Sequence, residues 1–332
     1  MDIRNRRAVR TAAAEALAAA PGNPQKIVLI YAGVTALLGL LSSVVALIVD
    51  SRIAGTGGLG NMGLRSILAT VQTILPMAQS IIVVFLGFGY QSAVLAMARR
   101  QRTGPDSLLN GFRRFGPLLR LMLLESLLFT GILFVAMYLG AQIFVMTPLA
   151  RDFLELMMPL VANTSVLSAE VVMDEATMLA ATEAMMPMFP IIGVVFLLIA
   201  APIVYQYRMA VFALFDEPQR GALAAMRESR RMMRGNRLSL FKFDLGFWWY
   251  YGLEILIMAL CYGDVLLPML GVSFPWSAAV SYFLFYIVSL ALEVGLNWLF
   301  MNRVNVTYAT VYETIRPRQE EQKVALGNIF EM

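Results

Sequence analysis

The chain has 332 residues, of which 59 % are hydrophobic and only 14 % charged, against roughly 25 % charged in an ordinary soluble domain. This balance excludes a soluble globular domain and points to a membrane protein. The net charge is +4 and histidine is absent, which removes the commonest general base and metal ligand; the lone Cys261 excludes an intramolecular disulfide.

The first element, Arg4 to Ala20, is rich in Arg and Ala and reads as a surface helix ended by Pro21-Gly22-Asn23-Pro24. Its charge suits a signal peptide, but the apolar run that follows exceeds a signal core of about 7–15 residues, so a retained first span is expected. That run, Ile27 to Val49, carries no charge and is longer than the ~20 residues a helix needs to cross hydrocarbon. Five further candidates follow at 74–98, 118–146, 188–215, 243–270 and 276–300. The expected fold is all-α: one membrane domain over residues 1–315 with six transmembrane helices, an external acidic, Met-rich segment at 147–187, and a polar, mobile cytoplasmic tail at 316–332. An even number of crossings puts both termini on one side. Of the 26 Lys and Arg residues only Arg52, Arg65 and Arg151 fall in the external loops, so the positive-inside rule makes both termini cytoplasmic in a cell membrane.

Wound at ~100° per residue, residues 219–237 place Arg220, Arg227, Arg230, Arg231, Arg234 and Arg237 on one side, with Ala222, Ala225, Met226, Ser229, Met232 and Met233 opposite. This predicts an interfacial helix whose arginines reach phosphates and whose methionines sink into the acyl boundary. Gly235 suits the left-handed turn that ends a helix, and Phe241, Phe243, Phe247, Trp248 and Trp249 are expected at headgroup level before the next span. A similar corner precedes the third span, where Leu108, Phe112 and Phe115 share a face beside Arg113 and Arg114 and Gly116-Pro117 breaks the run. With the Arg/Ala segment at the start, these corners predict a threefold internal repeat of basic surface helix plus transmembrane hairpin, beginning near residues 1, 104 and 219.

The run Val204 to Trp249 resembles the signature region of a bacterial integral membrane family catalogued as domain of unknown function 975. The matching features are Tyr205 and Tyr207 at the end of a span, the Asp216 to Pro218 turn, Ala225 to Ser229 on a helix, the Met233 to Leu240 corner with Phe241 one position late, and the aromatic edge of the next span. The N-terminal Arg/Ala helix and Thr307 to Ile315 are similar to the family as well. The chain departs from it at Ala201 to Ile203, Ala-Pro-Ile where Ile-Pro-Gly is usual, and in its long external segment. The resemblance implies a polytopic membrane protein and no biochemical role.

Enzymatic groupings are poor. Gly58, Gly60 and Gly63 match GxGxxG without the strand a dinucleotide fingerprint requires. Cys261-Tyr262-Gly263-Asp264 approaches an intramembrane aspartyl protease motif but lacks its first glycine and a second aspartate within a span. No enzyme activity, cofactor or metal is expected. Acidic residues inside spans carry more meaning, because a charge at membrane depth costs several kcal/mol unless paired or neutralised. Glu125, Glu254 and Glu293 are such residues, and Tyr286, Glu293 and Asn297 share one helical face. Together they form either a polar track for a solute or proton, or interhelical glue in which Glu125 or Glu254 pairs with Arg120 or Arg208. In the external segment, Met157-Met158 and Met185-Met186-Pro187-Met188 lie near Asp152, Glu155, Glu170, Asp174, Glu175 and Glu183. Thioethers suit Cu(I), but an amphipathic helix over Ser168 to Met186 that uses Met for packing needs no metal.

Two functional classes remain. One is a non-enzymatic accessory or organising component whose arginines, including Arg113 and Arg114, engage anionic lipid headgroups or a membrane or cytoplasmic protein partner; basic charge facing a membrane gives no reason to invoke nucleic acid. The other is a transporter or channel subunit that moves a small solute or ion past the buried carboxylates.

Overall fold

The computed structural model describes residues 5–55, 62–163, 175–217, 221–269 and 271–330, together with Ile3 and Gln219. Among the described residues the regular structure is helical and no strand occurs. In chain order the helices are α1 (Arg6–Ala19), α2 (Pro24–Gly55), α3 (Met62–Ala98), α4 (Asn110–Arg113), α5 (Phe115–Val145), α6 (Arg151–Asn163), α7 (Glu175–Met185), α8 (Met188–Tyr207), α9 (Ala210–Asp216), α10 (Ala222–Met232), α11 (Arg237–Asp244), α12 (Trp248–Cys261), α13 (Gly263–Met269), α14 (Ala278–Leu296) and α15 (Asn302–Phe330).

Among the described residues five stretches are long and apolar enough to cross a membrane: Pro24–Arg52, Ser66–Ala98, Phe115–Val145, Thr177–Asp216 and Val280–Arg316. Their outer faces carry side chains such as Leu37, Leu41, Leu127, Phe134 and Leu198, each more than half exposed. Only lipid would accept such surfaces on so many helices. The expected span at 243–270 is not one helix. A 3-10 turn, Leu245–Phe247, precedes α12, and Tyr262 leaves helical geometry before α13 begins. The 14 residues of α12 rise only about 21 Å, short of a core ~30 Å thick. At the break the Phe285 ring lies against the Cα of Gly263, the first residue of α13, which then runs through Pro268.

Contacts divide the chain into two compact units, residues 1–119 with 209–332, and residues 120–208. The first is built around α3, whose Phe85, Tyr90, Val94 and Met97 are fully or almost fully buried. Residues 105–113, expected as a basic surface helix, form a 3-10 segment followed by the four-residue α4. They are wedged onto α3, where Gly89 meets the Leu108 carbonyl and Gly111 meets the Phe85 carbonyl. Phe115 stacks on Phe85 at 4.5 Å between ring centroids. Of the three surface helices that the repeat requires, α1 and α10 therefore form at 14 and 11 residues, while the middle one is a five-residue 3-10 segment running into the four-residue α4.

α1 is capped by the Asn5 side chain, which accepts from the Ala8 amide at 3.2 Å. It buries Val9, Ala13 and Ala16 and packs on α15. Gly22 (φ 114°) and Gly235 (φ 83°) both adopt the left-handed conformation that their Gly-Asn corners suggest. In α10 the face opposite the arginines is buried as the periodicity predicts, but its surroundings differ from expectation. Met226, Met232 and Met233 are covered by the protein's own α9 and α15 rather than sunk in acyl chains. Arginines too long to bury turn outward, and the short Ala and Ser positions let α10 approach α9 closely, so that Ser229 accepts from the Met209 amide at 3.2 Å. The aromatic corner divides in the same way: Trp248 and Phe241 are exposed, whereas Phe243 and Phe247 are buried.

α14 does not end near residue 300. It passes through a π-helical turn, Asn297–Met301, directly into α15, which stays helical to Phe330 through the region expected as a mobile tail. In the second unit Ile192 of α8 packs against Gly140 of α5, and α6 lies against α7. Residues 175–185 of the expected 168–186 helix are helical. Residues 168–174, with Glu170 and Asp174, lie outside the described residues, as do Arg4, Gly58, Gly60, Pro218 and Arg220.

Candidate functional site: a carboxylate-lined cavity

Within the first unit, α2, α12 and α14 line a partly open cavity of about 430 Å³, within the range of sites that hold small molecules; Glu254 is half-buried and Glu293 exposed at its edge. Helical periodicity assembles its walls. Tyr286, Ser289 and Glu293 on α14 and Asn297 just beyond it recur at steps of three and four, and on α12 Glu254, Met258 and Cys261 do the same. α2 contributes Ala32, Thr35, Ala36 and Gly39, small residues that leave the space open. The Tyr286 hydroxyl rests against the Cα of Gly39.

The polar inventory is one-sided. Glu254 and Glu293 lie close enough to feel each other's charge, and no lysine or arginine lines the cavity. Two hydroxyl donors are already used inside their own helices, Thr35 to the Ala32 carbonyl at 3.0 Å and Ser289 to the Tyr286 carbonyl at 2.9 Å. Their oxygens keep only acceptor capacity for an occupant. Asn297, in the π-helical turn, accepts from the Tyr250 hydroxyl at 3.0 Å. Further buried polar pairs lie along α15: Tyr90 donates to Asn302 at 2.9 Å and stacks on Tyr31 at 5.2 Å, and Tyr251 pairs with Tyr308 at 2.8 Å, whose hydroxyl donates to Asp244.

Four of the five polar-track residues, Tyr286, Glu254, Glu293 and Asn297, thus line one cavity. Glu125 stands apart on α5 in the second unit, half-buried. Neither Glu125 nor Glu254 forms an ion pair among the described residues, and Arg208 instead lies over the Tyr205 ring at 5.8 Å. Arg227, Arg230, Arg231 and Arg234 are exposed along α10, with Arg231 paired to Glu228. Arg237 is half-buried at the start of α11. Arg113 is exposed, but Arg114 turns inward, donating to the Phe215 carbonyl at 2.7 Å and lying over its ring.

Sequence reasoning missed one cluster. Asp216, its side chain 6 % exposed, binds Arg99 at 2.5 Å, Arg316 at 2.8 Å and the Tyr312 hydroxyl at 2.5 Å, and Glu313 joins Arg99 at 2.6 Å. Burial works against the Arg99 charge, but the hydrogen bonds it donates to Asp216 and Glu313 outweigh it and hold the guanidinium above its ordinary value. The only available signal was Asp216 in the Asp-x-Pro turn; its partner Arg99 is 117 residues away.

Compared with known proteins, residues 1–319 match the family described as "Protein of unknown function (DUF975)". No curated protein and no solved structure matches the chain.

Proposed function

Since the chain belongs to that family, whose description assigns no role, we propose from its geometry that it is a non-enzymatic transporter or channel subunit of the cell membrane that handles a small solute or ion. The observation that carries this reading is the cavity holding both Glu254 and Glu293. Carboxylates without an arginine or lysine partner are costly inside a bilayer protein, and a cavity that hydrates them or accepts a substrate offsets that cost. The topology that goes with this reading has six crossings, with α12 and α13 together as a broken crossing of the kind that lines transporter sites, both termini cytoplasmic, and the surface-helix hairpins as a degenerate repeat.

Charge movement on solid-supported membranes tests it. Reconstituted protein should give solute-dependent currents that Glu254→Gln and Glu293→Gln abolish while the protein stays folded. Wild-type currents equal to those of empty liposomes across amine, amino acid and inorganic ion panels would end the transport reading.

A second reading rests on the exposed arginine row of α10. An accessory component would use Arg227, Arg230, Arg231 and Arg234 to hold anionic headgroups or a partner protein, and native mass spectrometry from gently solubilised membranes would reveal a reproducible companion.

A further inference from the structure

We infer that the cavity between α2, α12 and α14 selects a small organic cation, an ammonium group carrying apolar substituents; this rests on the proposed role of that cavity and names its substrate class.

Charge comes first. Among the described residues two carboxylates and no cationic side chain face the space, so an anion would meet like charge with no opposite charge to offset it. Hydrogen-bond polarity agrees, because Thr35 and Ser289 spend their protons within their helices. Asn297 is held by Tyr250 through its oxygen, which leaves its amide nitrogen, with the Tyr262 and Tyr286 hydroxyls, as the donors beside the carboxylate, Thr35 and Ser289 acceptors.

The remaining lining separates an organic cation from a bare metal ion. Among the described residues no group of three or more Asp, Glu or Cys side chains is placed to hold a metal, and calcium or magnesium asks for six or more oxygens. Ile257, Met258, Leu290 and Val294 instead offer apolar surface, and Tyr262 and Tyr286 bring aromatic rings to the same space. An ammonium centre is attracted both to carboxylates and to aromatic faces while its substituents cover the aliphatic wall.

The test uses benzyltrimethylammonium, permanently charged, against benzoate and benzyl alcohol, which keep the ring and change only the charge. Isothermal titration is run on the full chain in neutral phosphatidylcholine nanodiscs, with empty discs as the blank. Benzyltrimethylammonium should bind at least roughly tenfold more tightly than either comparator, as attraction between opposite charges at the site requires, and Glu254→Gln and Glu293→Gln should each weaken it by a similar factor. Wild-type preference for benzoate or benzyl alcohol, or equal binding of all three, overturns the inference without recourse to any variant. Absence of benzyltrimethylammonium binding overturns it too. Selective, carboxylate-dependent binding without transport currents would leave this inference standing and remove the transport reading, whereas currents carried by an anion would do the reverse.

Discussion

At Asp216 a single carboxylate ties the ends of two helices to the middle of a third, because Arg99 follows α3, Asp216 closes α9, and Tyr312 and Arg316 lie within α15. Removing one partner from a buried charge network leaves the others desolvated without compensation, typically at 3–5 kcal/mol for a fully buried pair. Arg99 is 25 % exposed and Arg316 33 %, so Asp216→Asn is expected to cost about 2–3 kcal/mol after that discount, read as a lower midpoint of thermal unfolding in detergent. Glu313→Gln should cost under about 1 kcal/mol, since its side chain is 31 % exposed; equal effects would refute the central place of Asp216. A raised guanidinium value stabilises the fold at every pH below the ordinary arginine range and is lost only as pH climbs through it, so Arg99 itself adds no pH dependence under biological conditions. Gly111→Ala drives a methyl into the Phe85 carbonyl and should destabilise by roughly 1–3 kcal/mol or prevent assembly. An alanine variant with wild-type unfolding would show that α4 does not sit against α3 so closely.

At the level of elements, α10 separates two kinds of residue that the periodicity alone treats as one amphipathic pattern. Met232 and Met233 are buried in protein, so Met233→Ala should lower stability by about 2–5 kcal/mol and leave lipid binding unchanged. Replacing Arg227, Arg230 and Arg234 by Gln should do the opposite: unfolding is unaffected, and retention on phosphatidylglycerol vesicles falls by about 1 kcal/mol per charge removed, an effect that shrinks with added salt. The two faces of α10 were legible because helical spacing sorts charge from apolar side chains. What covers the apolar face was not, because lipid and protein present equally apolar surroundings. The same ambiguity hid the break between α12 and α13, where every residue from Trp248 to Cys261 except Glu254 suits a long span and the break meets Phe285 of another helix at Gly263. The cavity was half legible. Tyr286, Glu293 and Asn297 share a face by spacing alone, but their meeting with Glu254 depends on how α12 packs on α14.

For the whole molecule, the placement of charge predicts an orientation that labelling can check. In a Cys261→Ser background, Arg227→Cys should be shielded from a membrane-impermeant maleimide added to intact cells, and Thr177→Cys should react; the reverse pattern would place the termini outside. The π-helical turn joining α14 to α15 acts at the same scale. By taking five residues rather than four to close a turn, it brings Asn297 and Asn302 one turn apart, a phase correction of about 100° that lets the cavity face of α14 continue into the column of Asn302, Ala309, Tyr312 and Arg316. The turn is therefore a clutch between two gears. Deleting one residue within it would let the winding close to an ordinary α-helix and swing the lower shaft a quarter turn, disengaging Tyr312 and Arg316 from Asp216 while leaving the upper carboxylates in place.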